Sequence, residues 1–292
     1  MSNDSVKNYG KSIRSKLLNV AIKENVFYQT ILTRYFHERL LFRMSQTRYR
    51  NHFYLKGGAL MYSYEKFAAR PTLDIDFLGS NISNEEESIV AAFQEICSVI
   101  YDEDGVVFDT AHITAQRITE LRDYHGLRLS IPVRMDTISQ MLTIDIGFGD
   151  IVTPSPVDID YPSLLEHLPR VNVLAYPIET VIAEKLHAVV DLADQNSRMK
   201  DYYDLYHILS EENYDSGVLS DAVVRTFKNR HTTYFANTMF FRKEFADNQQ
   251  MQVKWQAFMS KIAKDGGHVL FRDVVARIQE VLRPYWENLS HL

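Results

Sequence analysis

The sequence has few of the features that mark a secreted, thiol-ligated or membrane-spanning protein. Its 292 residues include one cysteine, Cys97, which excludes an internal disulfide and a zinc site built from several cysteines. No run approaches the roughly 20 apolar residues that a bilayer span requires, and the start, MSNDSVKNYGKS, has no secretory signal core. We therefore expect a cytoplasmic protein with no membrane partner. Cys97 lies in a helix-like run, which favours a buried packing role over a nucleophile.

Charge is distributed unevenly along the chain, whose net charge is −6. Residues 1–50 contain ten Lys and Arg against three Asp and Glu, whereas residues 71–110 contain ten Asp and Glu and no Lys or Arg. This asymmetry can separate an acidic metal-binding face from a basic face that meets phosphates. Solvated helix faces that happen to differ in charge explain it equally well.

Hydrophobic spacing predicts an α/β (α+β) protein in three parts. We expect an N-terminal helical arm over 1–50, a mixed-sheet core over 51–175 and a C-terminal helical domain over 176–292. The core pattern comprises strands at FYLK, LDIDFLG, AHITAQRITELR, GLRLSIPVRM and MLTIDIGFGD, helices after FYLK and over 84–100, and a turn at 123–126. A proline-punctuated connector with a short helix follows, and the C-terminal helices break near 215–217, 247–250 and 265–267.

Three carboxylates interrupt otherwise apolar strands. Asp74 and Asp76 are two residues apart on a strand, so their side chains share one face about 7 Å apart at Cα. Asp145 lies between Ile144 and Ile146 in the same kind of pattern. On an adjacent strand it would complete a cluster whose like charges require a divalent cation. Mg²⁺ or Mn²⁺ suits such oxygen ligands and recruits substrate phosphates.

Gly57 and Gly58 stand where the first core strand gives way to a helix. Without side chains, their backbone N–H groups can approach a phosphate closely at the positive end of the helix dipole. A tight turn would be the preferred explanation if these glycines stood alone. The order of elements is a strand, Gly-Gly, a helix and a second strand with Asp-x-Asp. This order is typical of a site that binds a triphosphate and its metal.

The order and wording of these motifs resemble the AbiEii-type nucleotidyltransferases, toxins of type IV toxin–antitoxin and phage-defence systems with a polymerase-β-like fold. The matching text is YLKGGALMYSYEKFAARPTLDIDFLG (54–79), TIDIGFGD (143–150) and IETVIAEKLHAVVDLADQNSRMKDYYDLYHI (178–208). Together these motifs are specific, although each alone would be weak. The resemblance implies a polymerase-β-like mixed sheet flanked by N-terminal helices and a C-terminal helical region.

The same resemblance assigns roles to individual residues. It implies that Gly57 and Gly58 hold the triphosphate, that Asp74, Asp76 and Asp145 bind metal, and that Lys185 and Asp201 belong to the active site. Lys185 is expected to contact nucleotide phosphates, and an ion pair with a neighbouring glutamate is the alternative. Arg198 and Lys200 are candidate phosphate ligands, but their spacing to Asp201 and Asp204 suits helical ion pairs equally well.

The expected activity is metal-dependent transfer of a nucleoside monophosphate from an NTP to an acceptor hydroxyl. The acceptor could be RNA, such as a tRNA 3′ end, or a protein or small molecule, and the basic N-terminal residues favour RNA. The resemblance also implies a co-encoded antitoxin. Two alternatives stay open: a catalytically inactive NTP-binding module of regulatory or antitoxin-like type, and a nuclease that uses the same carboxylates.

Overall fold

A computed structural model describes residues 8–119, 125–195, 198–262 and 269–291. Within the predicted turn at 123–126, residues 123 and 124 lie outside the described residues, as does the predicted helix break at 265–267. The chain divides into two compact units, Met1–Gly149 with Val157–Ala175 and Asp150–Pro156 with Tyr176–Leu292. The three-part domain division proposed from the sequence stays a prediction.

The first unit contains helices and one mixed sheet, which confirms the predicted α/β class. Its helices are α1 (Tyr9–Lys23), α2 (Tyr28–Ser45), α3 (Gly57–Glu65) and α4 (Glu86–Cys97). Its strands are β1 (Phe53–Lys56), β2 (Asp74–Gly79), β3 (Val107–Phe108), β4 (Thr114–Thr119), β5 (His125–Met135), β6 (Ile138–Phe148), β7 (Val157–Tyr161) and β8 (Val171–Ala175).

The sheet runs in the order β3-β5-β6-β2-β1-β8-β7, and β4 also pairs with β5. Strands β2 and β6 pair in parallel, whereas β5 and β6 form a long antiparallel pair. Because successive side chains alternate between the two faces, one face carries the buried apolar residues. Three phenylalanine rings pack together on this face. The ring centroid of Phe53 of β1 lies 5.9 Å from that of Phe77 of β2 and 5.1 Å from that of Phe93 of α4.

The connector between residues 150 and 177 differs from the prediction. We expected a short helix there, but the described backbone forms strands β7 and β8 instead. Val171, Val173 and Ala175 of β8 alternate with half-buried residues, and Ala175 pairs with Leu55 of β1 in parallel. The prolines of the connector flank the two strands, and they obscured the period-2 pattern within them.

Helix α2 is almost entirely buried, although it contains several charged residues. Residues 31–44 are all buried. Arg43 donates to Asp104 Oδ2 at 2.7 Å, Arg34 donates to a backbone carbonyl at 2.8 Å, and Arg39 pairs with Glu38. These three arginines are therefore structural cations of the core. They contribute to the basic composition of residues 1–50 but not to a basic surface.

The regular elements described in the second unit are all helices, in agreement with the predicted C-terminal helical region. Its helices are α5 (Ile178–Leu192), α6 (Met199–Glu211), α7 (Ser216–Asn229), α8 (Gln249–Ile262) and α9 (Phe271–Asn288). Tyr202 is fully buried and contacts the rings of Phe240, Phe245 and Phe271. This tyrosine packs the core and cannot stack on a nucleotide base. Among the described residues, no helix has the length and apolarity that crossing a membrane demands.

Candidate active site

The strand register brings the three predicted aspartates together. Asp76 of β2 lies directly opposite Asp145 of the parallel strand β6, and Asp74 is two residues before Asp76 on the same face. One carboxylate oxygen from each of Asp74, Asp76 and Asp145 lies within 4.8 Å of the others. Asp145 is buried and the other two are half-buried. This arrangement concentrates three negative charges at one point of the sheet.

A basic residue that the sequence reasoning missed faces this cluster. Arg128 of β5 lies opposite Asp145 in the antiparallel register. Its Nε donates to Asp145 Oδ1 and its Nη2 to Asp145 Oδ2, both at 2.7 Å. This bidentate geometry fixes the orientation of the carboxylate and offsets part of the cluster's charge. No sequence signal identified Arg128, because its position depends on the pairing of two strands.

The glycine pair is required by close contacts in the described structure. Gly57 is the first residue of α3 and has a φ of +66°, a region that favours glycine. A Cβ atom at Gly57 would lie 1.9 Å from Asp76 Oδ2, and one at Gly58 would lie 2.8 Å from Thr72 Oγ1. The two glycines therefore let the start of a helix approach the carboxylate cluster. Backbone N–H groups at such a helix start can bind an anion.

Residues before β2 hold Asp74 in place. Thr72 Oγ1 donates to Asp74 Oδ1 at 2.7 Å, which fixes the orientation of that carboxylate at the start of β2. Buried Arg70 approaches the position above Gly58. His37 of α2 is buried near Leu73 and Asp74, at the start of β2. Burial lowers its pKa to about 4 despite the nearby charge of Asp74. The imidazole is therefore neutral near pH 7.

The remaining predicted residues lie in the second unit and form their own ion-pair cluster. Lys185 Nζ donates to Asp204 Oδ2 at 2.6 Å and lies 3.4 Å from Asp201 Oδ1. Arg198 Nε lies 2.8 Å from Asp201 Oδ2. Lys185, Asp201 and Asp204 are buried, and Lys200 is half-buried beside them in sequence. The lysine thus has two carboxylate partners, and neither is the neighbouring glutamate that the sequence analysis offered as the alternative partner.

A second buried network in this unit also escaped the sequence reasoning. Arg230 Nη2 donates to Asp150 Oδ1 at 3.0 Å and lies 3.2 Å from Glu184 Oε1. His187 Nε2 lies 2.7 Å from Thr232 Oγ1. Asp150 and Glu184 belong to the motif segments 143–150 and 178–208. Arg230 therefore ties the end of one motif to the helix that carries the other.

The aspartate cluster has the donor set that a hard divalent cation prefers. Its ligand atoms are all carboxylate oxygens, close enough to share one or two ions. No comparable group of three or more His, Cys, Asp or Glu side chains occurs elsewhere in the part of the chain that the structure describes. Cys97 is buried, and burial raises the pKa of its thiol to about 12. A thiolate nucleophile is therefore excluded there.

Comparisons with known proteins place this geometry in a family. The chain is similar over most of its length to two crystal structures from Helicobacter pylori. JHP933 has a TM-score of 0.53 and 14% identity, with 90% of this chain and 94% of that chain covered. A candidate nucleotidyltransferase has a TM-score of 0.52 and 14% identity, with 90% and 97% covered. At this identity the similarity shows the fold alone.

A search of curated proteins gives no match. The family model described as nucleotidyl transferase AbiEii toxin, type IV toxin–antitoxin system, matches residues 39–283. The matched segment contains the three aspartates, the glycine pair and the lysine–aspartate helices. The chain therefore belongs to the AbiEii family of nucleotidyl transferase toxins of type IV toxin–antitoxin systems.

Proposed function

We propose that this protein transfers a nucleoside monophosphate from an NTP to a hydroxyl of RNA, such as a tRNA 3′ end, at the Asp74–Asp76–Asp145 cluster. One observation carries the proposal: three carboxylates within 4.8 Å of one another lie beside a helix that begins with two glycines. The carboxylates suit Mg²⁺ or Mn²⁺, and the helix start suits the negative triphosphate. A nuclease would need the carboxylates but not the glycine pair.

In the proposed reaction the acceptor oxygen bonds to the α-phosphorus of the NTP, and the bond from that phosphorus to the bridging oxygen breaks. Pyrophosphate leaves, and the acceptor hydroxyl loses its proton to solvent. A bound divalent cation would polarise the α-phosphate and favour the deprotonated acceptor. Asp74 and Asp76 would bind the metal. Asp145 orients the acceptor hydroxyl, and Arg128 fixes the orientation of the Asp145 carboxylate. Gly57 and Gly58 bind the triphosphate through backbone N–H groups.

Residues of the second unit enter the proposal through the family motifs. Lys185 contacts a nucleotide phosphate, Asp201 and Asp204 hold the lysine, and Arg198 and Lys200 contribute positive charge. The pairs from Lys185 to Asp204 at 2.6 Å and to Asp201 at 3.4 Å support a fixed lysine orientation. Family membership also supports a cytoplasmic toxin that inhibits growth and is neutralised by a co-encoded antitoxin.

The activity is tested with purified protein, cellular RNA, Mg²⁺ or Mn²⁺ and each of the four NTPs labelled at the α-phosphate. We expect label in RNA, and tRNA is separated from other RNA on a gel. Label in protein would refute the RNA acceptor, shortened RNA would indicate a nuclease, and NTP binding without any label would indicate the inactive module.

The variants Asp76→Asn and Asp160→Asn form a matched pair for this assay. Asp158 and Asp160 of β7 repeat the Asp-x-Asp spacing, but they belong to no cluster of three carboxylates among the described residues. We expect Asp76→Asn to abolish labelling with circular dichroism unchanged, and Asp160→Asn to retain it. Equal activity of the two variants would refute the assignment of the metal site.

A further inference from the structure

Beside the carboxylate cluster, the sheet presents an open face on strands β3 to β6. The register places Arg128 of β5 next to Asp145, and Ser130 of β5 next to Thr143 of β6. Two further steps along β5, Pro132 lies opposite Met141, and Arg134 lies opposite Ser139. Since alternate residues share a face, all of these side chains stand on the same side as the three aspartates.

The two faces of these strands differ sharply in exposure. Leu127, Leu129, Ile131 and Val133 of β5 are fully buried on the opposite face. On the open face, by contrast, Thr114, Gln116, Arg134, Ser139 and Met141 are exposed. An antiparallel sheet can have one solvated face, so exposure alone does not identify a binding surface. The chemistry of this face does more.

Positive, hydroxyl and apolar groups alternate there in a pattern suited to a nucleic-acid strand. Arg134 is exposed, and none of the ion pairs among the described residues includes it. Outside the metal cluster, strands β4, β5 and β6 carry no Asp or Glu on this face. Asp109, an acidic residue near this face, follows β3 beside Pro132 and pairs with His112. Met141 is 54% exposed and Val107, opposite Arg134 on β3, is 52% exposed. Guanidinium groups bind phosphates, and apolar side chains contact bases and riboses.

The dimensions of the face fit a short single-stranded segment. Arg128 and Arg134 are six residues apart on one strand, which corresponds to about 20 Å. Arg128 is engaged with Asp145 at the cluster end, whereas Arg134 lies at the far end. A strand whose terminal hydroxyl reaches Asp145 could therefore extend for a few nucleotides and place a backbone phosphate beside Arg134.

We propose that this open face, defined by Ser130, Arg134, Met141, Thr143 and Val107, binds the single-stranded end of the RNA acceptor. Arg134 binds its phosphate backbone, and Met141 with Val107 contacts a base or ribose. This inference rests on the proposed function, because it assumes that the acceptor is RNA. It adds the location of the acceptor and separates it from the triphosphate, which the glycine pair binds.

The test compares Arg134→Ala and Arg134→Glu with Arg117→Ala. Arg117 is a matched control, because it is an exposed arginine of the adjacent strand β4 that pairs with Glu85, and its side chain stands on the opposite face. Anisotropy of a fluorescein-labelled single-stranded RNA and of a labelled tRNA pool measures acceptor binding. A fluorescent NTP analogue measures nucleotide binding, and thermal melting checks the fold.

We expect Arg134→Glu to weaken RNA binding about tenfold at low salt and to reduce the salt slope by about one unit. The KM for RNA rises correspondingly, while NTP binding and the melting temperature stay unchanged. Arg117→Ala behaves as the parent. If the parent protein labels RNA and Arg134→Glu has the same KM for RNA, this inference is overturned and the proposed function stands. A parent that labels no RNA, or labels protein instead, would overturn both.

Discussion

Replacing Gly57 by alanine is the sharpest test of the link between the glycine pair and the metal site. An alanine at a φ of +66° costs about 1–2 kcal/mol of backbone strain. The added Cβ would lie 1.9 Å from Asp76 Oδ2, and ordinary contacts are longer than 3.0 Å. Asp76 must therefore move by about 1 Å, and a displacement of about 1 Å at a reacting centre can cost about 100-fold in rate. We expect kcat/KM for nucleotidyl transfer to fall by about that factor.

Gly149→Ala provides the matched control for this variant. Gly149 has a φ of +86°, but no atom lies within 4 Å of the Cβ that alanine would add. Both variants carry backbone strain, and Gly57→Ala alone carries the collision with a metal ligand. Urea unfolding should show comparable losses of stability, of about 1–2 kcal/mol, while Mn²⁺ binding by electron paramagnetic resonance weakens in Gly57→Ala alone. Equal Mn²⁺ affinity and equal activity in the two variants would refute the reasoning.

Three further predictions concern charged groups. Arg128→Gln should bind Mn²⁺ several-fold more tightly in calorimetry, because it removes the cation that competes for Asp145; unchanged or weaker binding would contradict this. Burial, together with Arg230, lowers the pKa of His187 to about 3. Below pH 6.5 the unfolded state therefore binds more protons than the folded state, and the free energy of unfolding decreases as the pH is lowered, by about 3 kcal/mol from pH 7 to pH 4. Urea unfolding of His187→Gln should show a smaller loss. Lys185→Met should lower the unfolding free energy by about 3–5 kcal/mol, because it removes the ammonium that pairs with the buried carboxylates of Asp201 and Asp204, and adding Asp204→Asn should restore part of it.

The parts of the fold that followed from the sequence are those with local signals. Alternation of apolar and acidic residues predicts that Asp74 and Asp76 share a strand face, and Ile144 and Ile146 predict the same for Asp145. The Gly-Gly pair marks the start of α3 because glycine tolerates a positive φ and a close neighbour. These signals require no knowledge of which strands are adjacent.

The parts that could not be predicted depend on pairing and on burial. Arg128 contacts Asp145 only because β5 and β6 align in one register. The strands of the connector were hidden by the prolines that flank them, although β8 pairs in parallel with β1. Charge counts also mislead where a helix is buried, since Arg39 and Arg43 add to the basic total of residues 1–50 without reaching the surface.

The burial of α2 sets a limit on how this protein can be dissected. The family match begins at residue 39, which is inside the helix Tyr28–Ser45. A fragment that began there would lose about three turns of the helix, including Ile31, Tyr35 and Phe36, which are fully buried. Arg34, which donates to the Ala69 carbonyl, and His37, which lies near Asp74, would be lost with them. The segment needed for folding therefore extends further toward the N-terminus than the segment that family similarity detects.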